Sequence, residues 1–155
     1  MQSGVLRLPA AAVGRLRELS EAAWPEEACG LLEGPVEIPG VSGAFPVARR
    51  VSRVVACRNL HPAPRRRFQI DPERFLRVDR AARERGRAVI GVWHSHPHGD
   101  ARPSPIDRAE AWPGWSYLIV GVTKGDMTEL RCWQPTDGDF LEQDIRIVGR
   151  RPECP

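Results

Sequence analysis

His94 and His96 stand one residue apart at the end of a β-branched apolar run that begins at Ala88, and Ser104 and Asp107 follow beyond a Gly/Pro-rich stretch. In an extended chain, residues two apart project to the same side, so the pair presents two imidazoles to one point from the end of a rigid element. That arrangement suits a divalent metal. Zinc takes nitrogen, sulfur and carboxylate ligands in a tetrahedron, and a catalytic site keeps three protein ligands and a water; Asp107 is the candidate third ligand. Alone, a histidine pair is more often solvated or hydrogen-bonded than ligating. Ser104-Pro105-Ile106-Asp107 likewise reads as a helix start, with Ser104 at the N-cap, proline at the first position and an acid at the third. The two readings are compatible, because a helix begun at Ser104 aims Asp107 back at the histidines.

Related chemistries make demands that the chain does not meet. A zinc nucleoside deaminase needs HxE followed by PCxxC, but His96 fills the second position and no CxxC occurs. The HExxH of a zincin is absent. A metallo-β-lactamase-like site would need an Asp-His pair in register after His96, and only His61 would remain as a distant histidine. Cys29 reads as a small buried apolar residue rather than a nucleophile, since no base stands beside it.

Periodicity and punctuation place the elements that must hold these residues. Leu8 to Trp24 reads as an amphipathic helix stopped by Pro25, and Ala28 to Leu32 as a short buried strand. Gly34 to Pro46, rich in proline and glycine, reads as a surface insertion, and Val47 to Cys57 as a strand or hairpin. Asn59 to Arg67 is a loop, followed by a strand fragment Phe68 to Ile70. A second helix starts at Asp71 as N-cap with Pro72 behind it and ends at Gly86. Ala88 to His96 is a buried strand, Ser104 to Trp112 a short helix, and Tyr117 to Val122, Glu129 to Trp133 and Phe140 to Val148 are closing strands. Helices interspersed among sequential strands give a three-layer α/β or α+β sandwich. Trp112, Trp115 and Trp133 are expected in the core, His98 and Asp100 in a solvated loop over the site, and Arg65, Arg66 and Arg67 on a solvated rim or against an anionic partner.

At 155 residues and 17.3 kDa, with 41% apolar and 28% charged residues, the chain has the size and composition of one folded domain. We assign residues 1–149 to that domain and 150–155 to a disordered tail. A net charge of +3, with Lys124 the only lysine, is small for a nucleic-acid binder. No apolar run reaches the ~20 residues that span a bilayer, and Met1 to Ala10 lacks the order of a signal peptide. Neither a nucleic-acid nor a membrane partner is expected. Four scattered cysteines, Cys29, Cys57, Cys132 and Cys154, indicate reduced thiols and a cytoplasmic location.

The spacing His94-x-His96, seven residues from Pro97 to Pro103, Ser104-x-x-Asp107 resembles the JAMM motif of the JAB/MPN metallopeptidases, in their bacterial single-domain form. Pro25 to Gly34 is similar to the segment in which that family carries its catalytic glutamate, and the resemblance extends over roughly Ala12 to Trp133. It implies that His94, His96 and Asp107 bind zinc, that Glu27 holds the attacking water, and that Ser104 donates to the developing oxyanion. Composition cannot separate Glu26 from Glu27; the family pattern selects Glu27, two residues before Cys29-Gly30, and leaves Glu26 as a solvated acid. The implied fold is α/β, a cytidine-deaminase-like three-layer α/β/α with a central mixed β-sheet. The implied activity is a zinc-dependent (iso)peptidase acting at the C-terminal Gly-Gly of a ubiquitin-like or sulfur-carrier protein. Two rivals are a non-catalytic MPN-type binding module and a DNA-repair-associated relative, the second opposed by the weak net charge.

Overall fold

The computed structural model describes residues 4–36 and 48–149. In chain order the elements are β1 (Val5–Pro9), α1 (Ala10–Ala23), β2 (Cys29–Pro35), β3 (Ala48–Arg50), β4 (Arg53–Cys57), α2 (Pro72–Glu84), β5 (Arg87–His96), α3 (Pro105–Glu110), β6 (Ser116–Thr123), β7 (Asp126–Thr136) and β8 (Asp139–Val148). The strands form one mixed sheet in the order β3-β1-β8-β7-β6-β5-β2-β4. β1 runs parallel to β3 and β8, and β5 parallel to β6; the other neighbours are antiparallel.

Side-chain alternation sorts the central strands into two cores. Leu32, Ile90, Trp93 and Leu118 pack with Ala12 and Leu16 of α1, while their neighbours Leu31, Val89, Val92 and Tyr117 pack with Phe75 and Val78 of α2. Consecutive strand residues face opposite ways, so α1 covers one face and α2 the other. β5 is buried on both faces, which is why its sequence is a nearly unbroken apolar run. Gly30 is fixed by this packing: a Cβ there would lie 1.8 Å from the Val55 carbonyl oxygen and 2.4 Å from Trp93 Nε1. That indole instead donates to Val55 O at 2.9 Å.

Several elements depart from the sequence reading. The first helix begins at Ala10, not Leu8, because Leu6 and Leu8 alternate inward on a strand paired with β8 and β3. Val47 to Cys57 is not a hairpin. β3 and β4 lie at opposite edges of the sheet, and the link between them donates from Val51 N to Arg7 O and from Ser52 N to Glu33 O. Phe68 to Ile70 forms no strand, since the Gln69 amide donates to Asn59 Oδ1 and its carbonyl accepts from Leu60 N. The short third helix ends at Glu110, and Trp112, expected in the core, is 67% exposed. Trp115 and Trp133 do pack on the α2 core. Gly34 and Pro35 continue β2, whereas residues 37–46 of the expected insertion and the expected tail 150–155 lie outside the described residues. The second helix keeps its expected caps, with Asp71 Oδ1 accepting from Glu73 N at 3.0 Å and Gly86 at φ +71. No helix among the described residues is long and apolar enough to cross a membrane.

Candidate metal centre

β5 delivers both histidines from the middle of the sheet. His94 lies opposite Cys29 on β2 and Ile119 on β6, so its backbone is held from both sides. Its ring is 1% exposed and stacks on Phe68 with centroids 4.5 Å apart. His96 Nδ1 hydrogen-bonds to the Asp100 carbonyl oxygen at 2.5 Å. Because a carbonyl only accepts, Nδ1 carries a proton, and Nε2 is the ring nitrogen turned toward His94 and Asp107. The loop after the strand is tied down at three points: Trp24 Nε1 donates to Pro97 O, Ala101 N to Glu129 Oε2, and Trp133 Nε1 to Ala101 O.

That loop ends in the capping box expected at Ser104. Ser104 Oγ accepts from Asp107 N at 3.0 Å, and Ser104 N donates to Asp107 Oδ2 at 2.8 Å. The box aims the Asp107 carboxylate at the strand end: Oδ1 is 3.4 Å from His94 Nε2 and Oδ2 is 3.3 Å from His96 Nε2. The two Nε2 atoms are 3.1 Å apart. For zinc bonds of about 2.0–2.1 Å, a tetrahedral ligand–ligand edge is roughly 3.3 Å, so these three donors have the separations that one ion requires.

Glu27 approaches from another direction. It precedes β2 rather than lying in it, and other groups hold its backbone: Glu27 N donates to Pro64 O at 2.7 Å, and Asn59 Nδ2 donates to Glu27 O at 3.1 Å. The next residue is clamped to the strand between the histidines, with Ala28 N donating to Ser95 Oγ at 2.8 Å and Ser95 N to Ala28 O at 2.9 Å. Glu27 Oε1 then lies 4.0 Å from His96 Nε2, and Glu27, His94 and His96 offer ligand atoms all within 4.8 Å of one another. Its Oε2 is buried without a hydrogen-bond partner.

Burial and charge set the protonation of the cluster. Burial pushes the Glu27 carboxyl up to about 7, against the pull of His96 and with help from Asp107. It also pushes the His94 imidazole below its ordinary value, keeping it neutral as a ligand must be. Burial opposes charge on Asp107 as well, but the hydrogen bonds of His94 and His96 win and hold it well below the usual carboxylate range. For His96, burial is outweighed by its bonds to Asp107 and to the Asp100 carbonyl, which raise it.

All five residues singled out from the sequence, Glu27, His94, His96, Ser104 and Asp107, thus meet around one cleft. Glu26 is exposed outside it. Burial raises Cys29 to about 12, which removes it as a nucleophile. His61 and His98 line the cleft, as does Asp100, which touches His96 through its backbone carbonyl. The sequence reading missed Ser95 and Asn59. Alternation on β5 could have pointed Ser95 away from its neighbours, and an asparagine opening a proline-rich loop is an Asx-turn signal. Asn59 also donates to Arg67 O and accepts from His61 N and Gln69 N. Asn59→Asp would set a carboxylate against two carbonyl oxygens, and urea unfolding is expected to show a loss of about 2 kcal/mol.

The chain is 35% identical over 124 residues to a desampylase of Haloferax volcanii, covering 79% of each chain. It is 38% identical over 92 residues to a probable TtuB-protein conjugate cleaving protease of Thermus thermophilus, covering 59% of this chain and 60% of that one. A solved protein from Desulfitobacterium hafniense superposes with a TM-score of 0.77 at 28% identity, covering 95% of each chain. Residues 9–135, which carry the glutamate, both histidines, the capping serine and the aspartate, match the family of prokaryotic homologs of the JAB domain, and the chain belongs to that family.

Proposed function

We propose that this protein is a zinc-dependent (iso)peptidase that hydrolyses a bond at the C-terminal Gly-Gly of a ubiquitin-like or sulfur-carrier protein. It would work as a single domain over residues 1–149, in the cytoplasm, with the cytidine-deaminase-like α/β/α layering of its family. The names of its relatives, a desampylase and a conjugate-cleaving protease, support the reaction class. The observation that carries the reading is the convergence of His94 Nε2, His96 Nε2 and Asp107 at 3.1–3.4 Å separations, with the Glu27 carboxylate set further off at 4.0 Å.

In this reading His94, His96 and Asp107 hold the ion, and the longer approach of Glu27 leaves room for a water between it and the ligands. Zinc, when bound, supplies Lewis acidity and lowers the pKa of a water to about 7. Glu27 would accept a proton from the attacking water as the new C–O bond forms and return it to the amine as the C–N bond breaks. A group titrating at about 7 suits both transfers. Ser104 Oγ accepts from Asp107 N and so keeps its own proton free to donate to the developing oxyanion.

Elemental analysis of protein purified without chelator or affinity tag is expected to find about one zinc per chain, by the three-ligand rule. The loaded protein is then expected to release the C-terminal group from fusions of Gly-Gly carrier proteins. Zinc without cleavage of any fusion would favour the non-catalytic binding module instead.

A further inference from the structure

We propose that Arg65, Arg66 and Arg67 form a subsite that binds a carboxylate of the substrate; the proposal rests on the peptidase reading above. The three side chains line the same cleft as Glu27, His96 and Ser104. Among the described residues none of the three has an ion-pair partner, whereas Arg83, Arg85, Arg108 and Arg131 are all paired. Of the four acids that line the cleft, Asp107 faces the imidazoles and Ser104 N, Asp100 Oδ1 accepts from Arg102 N at 3.0 Å, and neither Glu27 nor Glu110 pairs with the three arginines.

The backbone that carries the arginines is already ordered. Arg66 N and Arg67 N both donate to Ala63 O at 3.0 Å, and Asn59 Nδ2 donates to Arg67 O at 2.9 Å. Pro64 O, one residue before the run, accepts from the Glu27 amide. The loop that fixes the base therefore also fixes the backbone of the three arginines relative to it, and binding needs to order only side chains. Guanidinium matches a carboxylate through two parallel N–H···O bonds. On its far side the loop continues through Phe68 into a second groove lined by Phe75, Trp115 and Tyr117. A peptide crossing the metal centre would lay apolar groups in that groove and bring a carboxylate to the arginines.

The carboxylate has two sources, the free C-terminus of a single leaving residue or an acidic side chain in the tail before Gly-Gly. The test uses a sulfur-carrier protein ending in Gly-Gly-Ala as free acid and as C-terminal amide, each with and without acidic side chains in the tail. For the R65Q/R66Q/R67Q variant, kcat/KM is expected to fall about tenfold through KM on substrates that carry the relevant carboxylate, the scale of 1.4 kcal/mol. Zinc content and melting temperature should stay at wild-type values, and lysine at all three positions should restore part of the loss. A loss that follows the free acid assigns the subsite to the leaving residue, and one that follows the tail assigns it there. Equal loss on all four substrates, or loss on none, overturns the proposal. Failure of the zinc-loaded wild type to cut any of them overturns the peptidase reading itself.

Discussion

Glu27→Gln is expected to lower kcat on a cleaved carrier fusion by about 10²–10⁴-fold, the range that a positioned general base contributes, while zinc content stays at the wild-type level. The amide matches the carboxylate in shape, and the contacts that place residue 27 run through its backbone to Pro64 and Asn59, so the segment should not move. What is lost is a proton acceptor 4.0 Å from His96 Nε2, beyond the 3.1–3.4 Å separations of the three proposed ligands. If zinc fell together with activity, Glu27 would be a ligand and Asp107 would need another role. Unchanged turnover would remove it from the chemistry altogether.

The same substitution carries a pH signature in the metal-free protein. Glu27 titrates at about 7 in the folded chain against 4.5 in its ordinary state, so the fold disfavours its charged form. The stability that depends on the protonated form is complete below pH 4.5 and disappears as pH rises through 7, on the order of 3 kcal/mol at 1.36 kcal/mol per unit. Asp107 acts in the opposite sense, since its depressed carboxyl contributes stability above its ordinary 3.8 that is lost only at lower pH. Between pH 5 and 8 the Glu27 effect therefore stands alone among the two carboxylates. Urea unfolding of chelated protein should weaken over that range in the wild type and much less in Glu27→Gln. Parallel curves for the two proteins would contradict the burial of this carboxyl.

How far the site was legible depended on whether a residue acts locally. His94, His96, Ser104 and Asp107 lie within one short segment, and strand alternation plus a capping box suffice to aim them at one point. The second helix was legible for the same reason, its caps being written at Asp71 and Gly86. Glu27 is 67 residues from His94 along the chain, and nothing local separates it from Glu26; only the family pattern chose it. Pairing across the sheet was equally hidden. β3 and β4 are consecutive in sequence yet sit at opposite edges, because β1 and β2 each had an open side for one of them. Phe68 to Ile70 has the composition of a strand, but one asparagine nine residues from Phe68 takes up a backbone donor the strand would have used. Trp112 is exposed because α3 ends two residues before it.

His96→Ala is expected to empty the centre of zinc, and with it all activity. Losing a residue that merely supports a ligand costs 10–100-fold in metal affinity in typical sites; losing one of three ligands should cost far more. His96 is also the residue through which the cluster is joined, since its Nε2 faces His94, Asp107 and Glu27 while its Nδ1 fastens the Asp100 loop. His98→Ala is the control, because His98 is exposed on the rim of the same cleft two residues on. Zinc retained there and lost in His96→Ala would separate ligation from any general disturbance of the loop. Ser104→Ala should fall between the two: removing the N-cap acceptor costs about 1 kcal/mol of stability, and zinc should persist because the aspartate still accepts from the residue 104 amide. Full zinc occupancy in His96→Ala would mean that the ion is held by a different set, and the first place to look would be Glu27 with His94.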